Sequence, residues 1–252
     1  MTTISADDRS YLYGDGLFET VRVQGGKPLF LEAHQERFHR SAGALRFPKA
    51  SIDGGIKALQ DLEGCDDGLW RVTVSRDDGR AFGGGSGTVT LRHRPLPDAV
   101  ESITATVVEG AYFPGDSLAE HKTTNWLRSV IARQRAEERG ADEAIMADHQ
   151  GRLGEASAAN LFICLAGQWV TPPAQGLLPG VLRRIILQRA REHGEPIELR
   201  PLSVADLQTA EAVAITSSGR GVVAVREVDG QGFELPAVDA LSTLVSREYG
   251  SP

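Results

Sequence analysis

The order of apolar and polar residues lays out most of the elements of this chain. Residues 17–23 alternate loosely and run into Gly25-Gly26, which predicts a strand entering a hairpin, with residues 27–30 returning. From 31 to 45 the apolar positions Leu31, Phe38, Ala42 and Leu45 keep helical spacing, and a second helix is expected over 51–62. Residues 69–75, 89–94 and 103–108 have the composition of strands, and the glycine-rich stretch 79–87 joins the first two. The first half is therefore read as α+β, its strands grouped and its helices packed to one side.

Residues 109–119 hold Gly110, Pro114 and Gly115 and are the expected linker between one domain at 1–108 and a second at 120–252. A helix is expected over 126–139, with Leu127, Val130 and Ile131 on one face and Gly140 as its stop. A strand at 143–147, a turn at 149–151 and a hairpin of 161–165 with 169–171 follow. Residues 181–193 form a strongly amphipathic helix closed by Gly194. Strands at 212–216 and 222–226 and a final helix at 238–248 complete the pattern.

Bulk properties narrow the function classes. A chain of 252 residues can bury the core of one large domain or two modest ones. A formal net charge of −7 argues against a nucleic-acid surface, which needs a basic stripe. No apolar run approaches the roughly 20 residues that span a bilayer, and the N-terminus lacks the basic-then-apolar order of a secretory signal. Cys65 and Cys164 stand far apart and read as reduced thiols, so a cytoplasmic protein is expected. The six histidines show no paired spacing, and no metal site is expected.

Four places could carry chemistry. Lys122 follows a loop, precedes a helix and is flanked by Thr123 and Thr124 rather than by other charges. A lysine that attacks a carbonyl needs partial desolvation to lower its pKa, although a lone lysine is usually a solvated surface cation. Glu155 stands among small and apolar neighbours just before a strand, where a carboxylate could hold a ring nitrogen protonated or simply cap a turn. Leu178-Pro179-Gly180 leads into the helix at Val181, whose unpaired N–H groups suit an anion. Thr216-Ser217-Ser218-Gly219 after a buried strand offers hydroxyls and backbone donors. The last two signals are generic when taken alone. The run 83–87, Gly-Gly-Gly-Ser-Gly, lacks the lysine and hydroxyl ending of a P-loop and reads as a loop near a site mouth.

Taken together these pieces resemble the class IV aminotransferase family, the fold-type IV pyridoxal 5′-phosphate (PLP) enzymes. The matching segments are Tyr13-Gly14-Asp15-Gly16-Leu17-Phe18-Glu19-Thr20-Val21-Arg22-Val23, His34-Gln35-Glu36-Arg37 with Ser41-Ala42, Lys122-Thr123-Thr124-Asn125, and Ala141-Asp142-Glu143-Ala144. Glu155 with Asn160-Leu161-Phe162, Thr171-Pro172-Pro173, Leu178-Pro179-Gly180 and Ser217-Ser218 continue it in order over nearly the whole chain. The resemblance implies an α+β, two-domain fold like that of D-amino-acid aminotransferase, with a small N-terminal domain and a larger C-terminal PLP-binding domain. It implies that Lys122 is the Schiff-base lysine and Glu155 the partner of the pyridine nitrogen. Arg37, the N–H groups of Val181 and Leu182, and Ser217 and Ser218 would hold the phosphate. Leu182 and Gly154 each stand where the family often has threonine, and neither change removes a catalytic group.

Three family activities compete. The stretch 17–23 and the start His121-Lys122-Thr123 look most like 4-amino-4-deoxychorismate lyase, because branched-chain enzymes typically carry glycine and D-amino-acid enzymes valine at the position of Thr20. D-amino-acid enzymes also trap a carboxylate with an arginine and a histidine two residues apart, whereas Arg80 is followed by Phe82. The lyase reading gives Lys122 the proton transfer, Thr20 an assisting hydroxyl, and Arg22, Arg76 and Arg80 the two substrate carboxylates, which a planar guanidinium can accept bidentately. A D-amino-acid or branched-chain aminotransferase is the alternative, and a non-catalytic PLP-fold binding protein a remote one. The family implies a homodimer acting on a small-molecule substrate.

Overall fold

The structure, a computed structural model, describes residues 4–76 and 87–249. The chain divides into two compact units, Met1–Pro97 with His121–Trp126, and Asp98–Glu120 with Leu127–Pro252. This differs from the division expected around residues 109–119. The strand at Ser102–Glu109 pairs on both sides with strands of the second unit, while Lys122 and its neighbours bond to the first. Main-chain pairing, not the Gly/Pro content of the connection, sets the boundary.

The first unit begins with α1 (Arg9–Tyr13) and holds a four-stranded antiparallel sheet in the order β2-β1-β3-β4. These strands are β1 (Gly16–Gln24), β2 (Lys27–Pro28), β3 (Gly68–Ser75) and β4 (Val89–Arg94). The return strand is shorter than expected, because Phe30 takes a left-handed conformation and starts α2 (Leu31–Ala44). With α3 (Lys49–Gln60), α2 covers one face of the sheet. Period-two alternation sends Leu17, Val21 and Val23 into that layer, where they meet Phe38, Ala42, Ala58 and Leu59. Glu19 has the same parity and is therefore carried into the core with them.

The second unit is built on a ten-stranded mixed sheet, ordered β10-β9-β8-β12-β13-β5-β6-β7-β11 with β14 on β13. The strands are β5 (Ser102–Glu109), β6 (Glu143–Ala147), β7 (Arg152–Ala156), β8 (Asn160–Leu165), β9 (Gln168–Thr171), β10 (Glu198–Leu199), β11 (Leu202–Ser203), β12 (Ala212–Ser217), β13 (Gly221–Val228) and β14 (Gln231–Gly232). β8 and β12 are buried along nearly their whole length, as near-continuous apolar runs such as Ala-Val-Ala-Ile in β12 require. Ile145, Leu161, Ile163, Val213 and Val225 form its main core.

Helix α4 (Leu127–Glu138) packs on β5 and β6 through Ala132 and Ala136, small residues that let backbones approach closely. Leu127, Val130 and Ile131 are left 68%, 41% and 40% exposed, so the apolar face expected from the sequence is not the one that this unit buries. Helix α5 (Val181–Glu192) buries Val181, Leu182, Ile186 and Ala190, in accord with its amphipathic pattern. α6 (Val204–Gln208) is short, and the expected final helix is broken into α7 (Asp239–Thr243) and α8 (Ser246–Tyr249).

Candidate active site

In the first unit, Lys122 is fixed by main-chain bonds to β1. The Phe18 N–H donates to the Lys122 carbonyl at 2.9 Å, the Thr124 N–H donates to the Gly16 carbonyl at 2.8 Å, and Thr123 bridges to Leu17. Residues 122–124 thus lie as a short extra strand on the edge of β1 that β2 leaves open. The Lys122 Nζ sits 4.5 Å from the centroid of Phe18 and 4.8 Å from that of Trp126, two rings that meet edge to face at 5.3 Å. This aromatic corner desolvates the amine from two sides while attracting it electrostatically.

On the opposite face of β1, Glu19 accepts from Arg37 Nε at 2.8 Å and Nη2 at 2.5 Å, and His34 Nδ1 lies 2.7 Å from its Oε2. All three side chains are buried. Burial alone would raise the Glu19 carboxyl, but the Arg37 charge, its hydrogen bonds and the His34 contact outweigh it and hold the group down at about 2. Burial pushes the His34 imidazole below its ordinary value, with Arg37 and Lys122 adding to the depression. A neutral ring that gives its Nδ1 hydrogen to Glu19 has its lone pair on Nε2, which finds no hydrogen-bond partner among the described residues.

Thr20 and Arg22 lie on the Phe18 face of β1, one and two pleats further on, and are partly buried. Arg76 is bound to Asp15 at 2.9 Å and to the carbonyls of Leu45 and Arg46 at 2.7 Å each, over the ring of Phe47. Those acceptors give Arg76 a part in tying the end of β3 to the turn after α2. Arg80 and the 83–87 glycine run lie outside the described residues.

In the second unit, Glu155 on β7 accepts from the Asn160 side chain at 3.0 Å and from the Leu178 N–H at 3.2 Å. Asn160 also donates to the Leu178 carbonyl at 2.9 Å, so one buried amide ties β8 to the chain entering α5. Gly180 caps that helix, and a Cβ there would lie 1.9 Å from the Asn160 Oδ1. Arg183 anchors the same turn, donating to the Pro172 carbonyl at 2.6 Å and to Thr171 Oγ1 at 3.3 Å. The N–H groups of Val181 and Leu182 open the helix, where no intrahelical acceptor exists.

Thr216 pairs in register with Asn160, and its buried Oγ1 has no hydrogen-bond partner among the described residues. Ser217 Oγ accepts from the Arg220 N–H at 3.3 Å, and the Ser218 carbonyl accepts from Tyr249 at 2.8 Å. Gly154 has a steric reason: a Cβ would lie 2.7 Å from the Tyr112 ring, so the threonine common at this position would not fit. Sequence reading assigned no role to Glu19, Asn160 or Tyr112, and named Thr216 only as part of a generic hydroxyl turn. A carboxylate with the parity of Leu17 and Val21 was a usable signal for Glu19. An orphaned buried hydroxyl has no sequence signature.

The first unit thus holds a lysine in an aromatic corner, and the second a carboxylate beside a helix start and a hydroxyl turn. The sequence model of the class IV amino-transferases matches residues 16–228, and the chain belongs to that family. It has the family's fold, and class IV aminotransferases use PLP. The chain is 32% identical over 261 residues to a Methanocaldococcus jannaschii protein named provisionally as a branched-chain-amino-acid aminotransferase, covering 98% of this chain and 90% of that one. It is 29% identical to the D-alanine aminotransferase of Bacillus licheniformis, over 90% of this chain and 84% of the relative. The 4-amino-4-deoxychorismate lyase of Pseudomonas aeruginosa superposes with a TM-score of 0.87 at 27% identity, covering 99% of this chain and 97% of the other.

Among the described residues no helix is long and apolar enough to cross a membrane, and no cluster of three His, Cys, Asp or Glu could hold a metal ion.

Proposed function

We propose that this chain is a PLP-dependent lyase that converts 4-amino-4-deoxychorismate to 4-aminobenzoate and pyruvate. The observation that carries the reading is Thr20, a hydroxyl on the same face of β1 as the Phe18 ring that Lys122 touches, at a position where the competing aminotransferases typically lack one. Residues of both units suit PLP: Lys122 to carry it, Glu155 to pair with its ring nitrogen, and Arg37, the Val181 and Leu182 N–H groups, Ser217 and Ser218 to hold its phosphate. The orphaned Thr216 Oγ1 fits the same phosphate. Bound PLP supplies an electron-withdrawing ring.

The chain's own groups do the rest. The Lys122 amine would take the proton from the amine-bearing carbon of the substrate. The bond from the ring to the enolpyruvyl oxygen then breaks, and the Thr20 hydroxyl relays a proton to the departing group. Loss of that group leaves an aromatic ring, which supplies much of the driving force. The same reading makes the protein a cytoplasmic homodimer. Two free cysteines fit a reducing compartment, and the exposed apolar face of α4 fits a subunit contact.

An aminotransferase is the second reading, favoured by the 32% and 29% identical relatives. It would use the same Lys122 and Glu155 to move an amino group between an amino acid and a keto acid, with no loss of an enolpyruvyl group. The test is purified protein assayed in parallel with aminodeoxychorismate and with D-alanine or branched-chain donors. Formation of 4-aminobenzoate, abolished by Lys122→Ala together with the visible absorbance of the cofactor, is expected. Pyridoxamine phosphate accumulating with amino-acid donors, with no 4-aminobenzoate, overturns the lyase reading.

A further inference from the structure

The chain after Lys122 turns back so that one ring reaches its amine. The Thr124 N–H donates to the Gly16 carbonyl at 2.8 Å, the Asn125 side chain donates to the Gly14 carbonyl at 2.9 Å, and the Trp126 N–H donates to the Thr124 carbonyl at 2.9 Å. Gly14 is part of this anchor. Its φ is +66°, and a Cβ there would lie 2.3 Å from the Asn125 Oδ1, so a side chain would displace the amide that pins the turn. The turn carries the Trp126 indole to 4.8 Å from Lys122 Nζ, four positions earlier. Phe18 closes a second side at 4.5 Å, and the two rings stand at 77° to one another.

The two rings are not equivalent. The Arg71 Cζ lies 3.4 Å from the centroid of Phe18, so that ring serves two cations. Indole has the strongest π field of the aromatic side chains, and an ammonium within about 6 Å of its centroid is attracted by the ring quadrupole. Two effects therefore act on the amine in opposite directions. Apolar rings keep water away and disfavour the ammonium, while a π face favours it. Water exclusion alone would make Lys122 a poor acceptor of a proton, and the indole offsets that.

We propose that Trp126 is a positioning residue for the proton transfer, holding the Lys122 ammonium that forms when the amine takes the proton of the substrate. This deepens the role proposed above for Lys122 and rests on it. The proton leaves carbon for the Nζ lone pair, the electron pair of the broken C–H bond stays with the substrate, and Nζ gives the proton up later in the cycle. Trp126 touches only the lysine in this role and acts through it.

The test uses the protein loaded with pyridoxamine 5′-phosphate, which leaves the Lys122 amine free. The pKa of that amine is read from the pH dependence of its labelling by trace acetic anhydride, followed by peptide mass spectrometry. Tryptophans of increasing ring fluorination are placed at position 126. Fluorine withdraws π charge and leaves the shape of the corner nearly unchanged, so the electrostatic attraction alone moves. The pKa is expected to fall step by step, by about one pH unit over the series, the size of one cation–π contact. Trp126→Phe should bring part of that fall, and Trp126→Leu, an apolar cover without a π face, the whole of it. Trp126 is only partly buried, which keeps these variants within reach of a folded protein. A pKa that stays level along the fluorinated series, or rises, overturns the proposal. The two readings fail separately. Visible PLP absorbance that survives Lys122→Ala sinks the role of Lys122 and with it that of Trp126, whereas absorbance lost in Lys122→Ala together with a level series sinks Trp126 alone.

Discussion

Glu19 holds Arg37 along one guanidinium edge, 2.8 Å from Nε and 2.5 Å from Nη2, in the core between β1 and α2. Removing the carboxylate leaves a buried cation without its counter-charge, the most damaging way to break such a pair. Glu19→Ala is therefore expected to cost about 3–5 kcal/mol of stability. Lys57→Ala, which removes an exposed pair with Asp61, should cost under about 1 kcal/mol. Urea denaturation of the two variants side by side checks the contrast, and equal losses would show that the Glu19 pair contributes no more than a surface one.

The same pair sets an acid limit. The Glu19 carboxyl is held at about 2 against an ordinary 4.5, so its contribution is complete above pH 4.5 and is lost as pH falls from there towards 2. His34 is depressed below its ordinary 6.5, so the unfolded chain takes up a proton first, and stability starts to decline as pH falls below 6.5. Denaturation midpoints across this range should fall in two stages. Glu19→Gln flattens the lower stage. A lower stage unchanged in that variant would assign it to other carboxylates.

Gly180 and Asn160 meet too closely for a side chain at 180, since a Cβ would lie 1.9 Å from the amide oxygen. Asn160 can yield only by giving up its bonds to Glu155 and to the Leu178 carbonyl. Gly180→Ala should cost about 1–3 kcal/mol in thermal stability. On the PLP reading it should also weaken cofactor binding by about tenfold, as expected for one disturbed charged hydrogen bond. Absorbance titration with PLP measures the second effect, and unchanged affinity would place Glu155 outside the cofactor's reach.

Gly154 and Tyr112 are a second such contact, at 2.7 Å. Gly154→Thr alone is expected to destabilise by about 1–3 kcal/mol through overpacking. In the background of Tyr112→Ala the same change should cost less, because the ring that it strikes is gone. A double-mutant cycle by thermal melting decides; additivity of the two changes would mean the clash is relieved elsewhere.

On α4, Leu127, Val130 and Ile131 form an apolar face that the chain does not bury. If this face joins subunits, Val130→Asp with Ile131→Asp should convert a dimer to a monomer in light scattering. A dimer that persists places the contact on another surface.

The sequence was sufficient for the elements whose pattern is local. Strand alternation over β1 and helical spacing over α2 and α5 follow from period two and period 3.6, which every residue reports by itself. The segments of Lys122 and Glu155 could be singled out because each is a short contiguous stretch. α4 misled because helical spacing shows which residues share a face and not which face is covered. Its burial was decided by Ala132 and Ala136 against β5 and β6.

What only the tertiary structure decided is pairing at long range. Glu19 and Arg37 are 18 positions apart, and nothing local joins them until β1 and α2 pack. Register placed Arg71 between Thr20 and Arg92 and brought its guanidinium onto Phe18, and a slip of one residue would have turned Arg71 to the helix side. The residues 121–126 joined the first unit for the same reason: main-chain hydrogen bonds to β1 outweigh position in the chain. A sequence states which groups exist and their local periodicity. Which charges end up beside one another, and which are left without a partner, is fixed only when the strands choose their register.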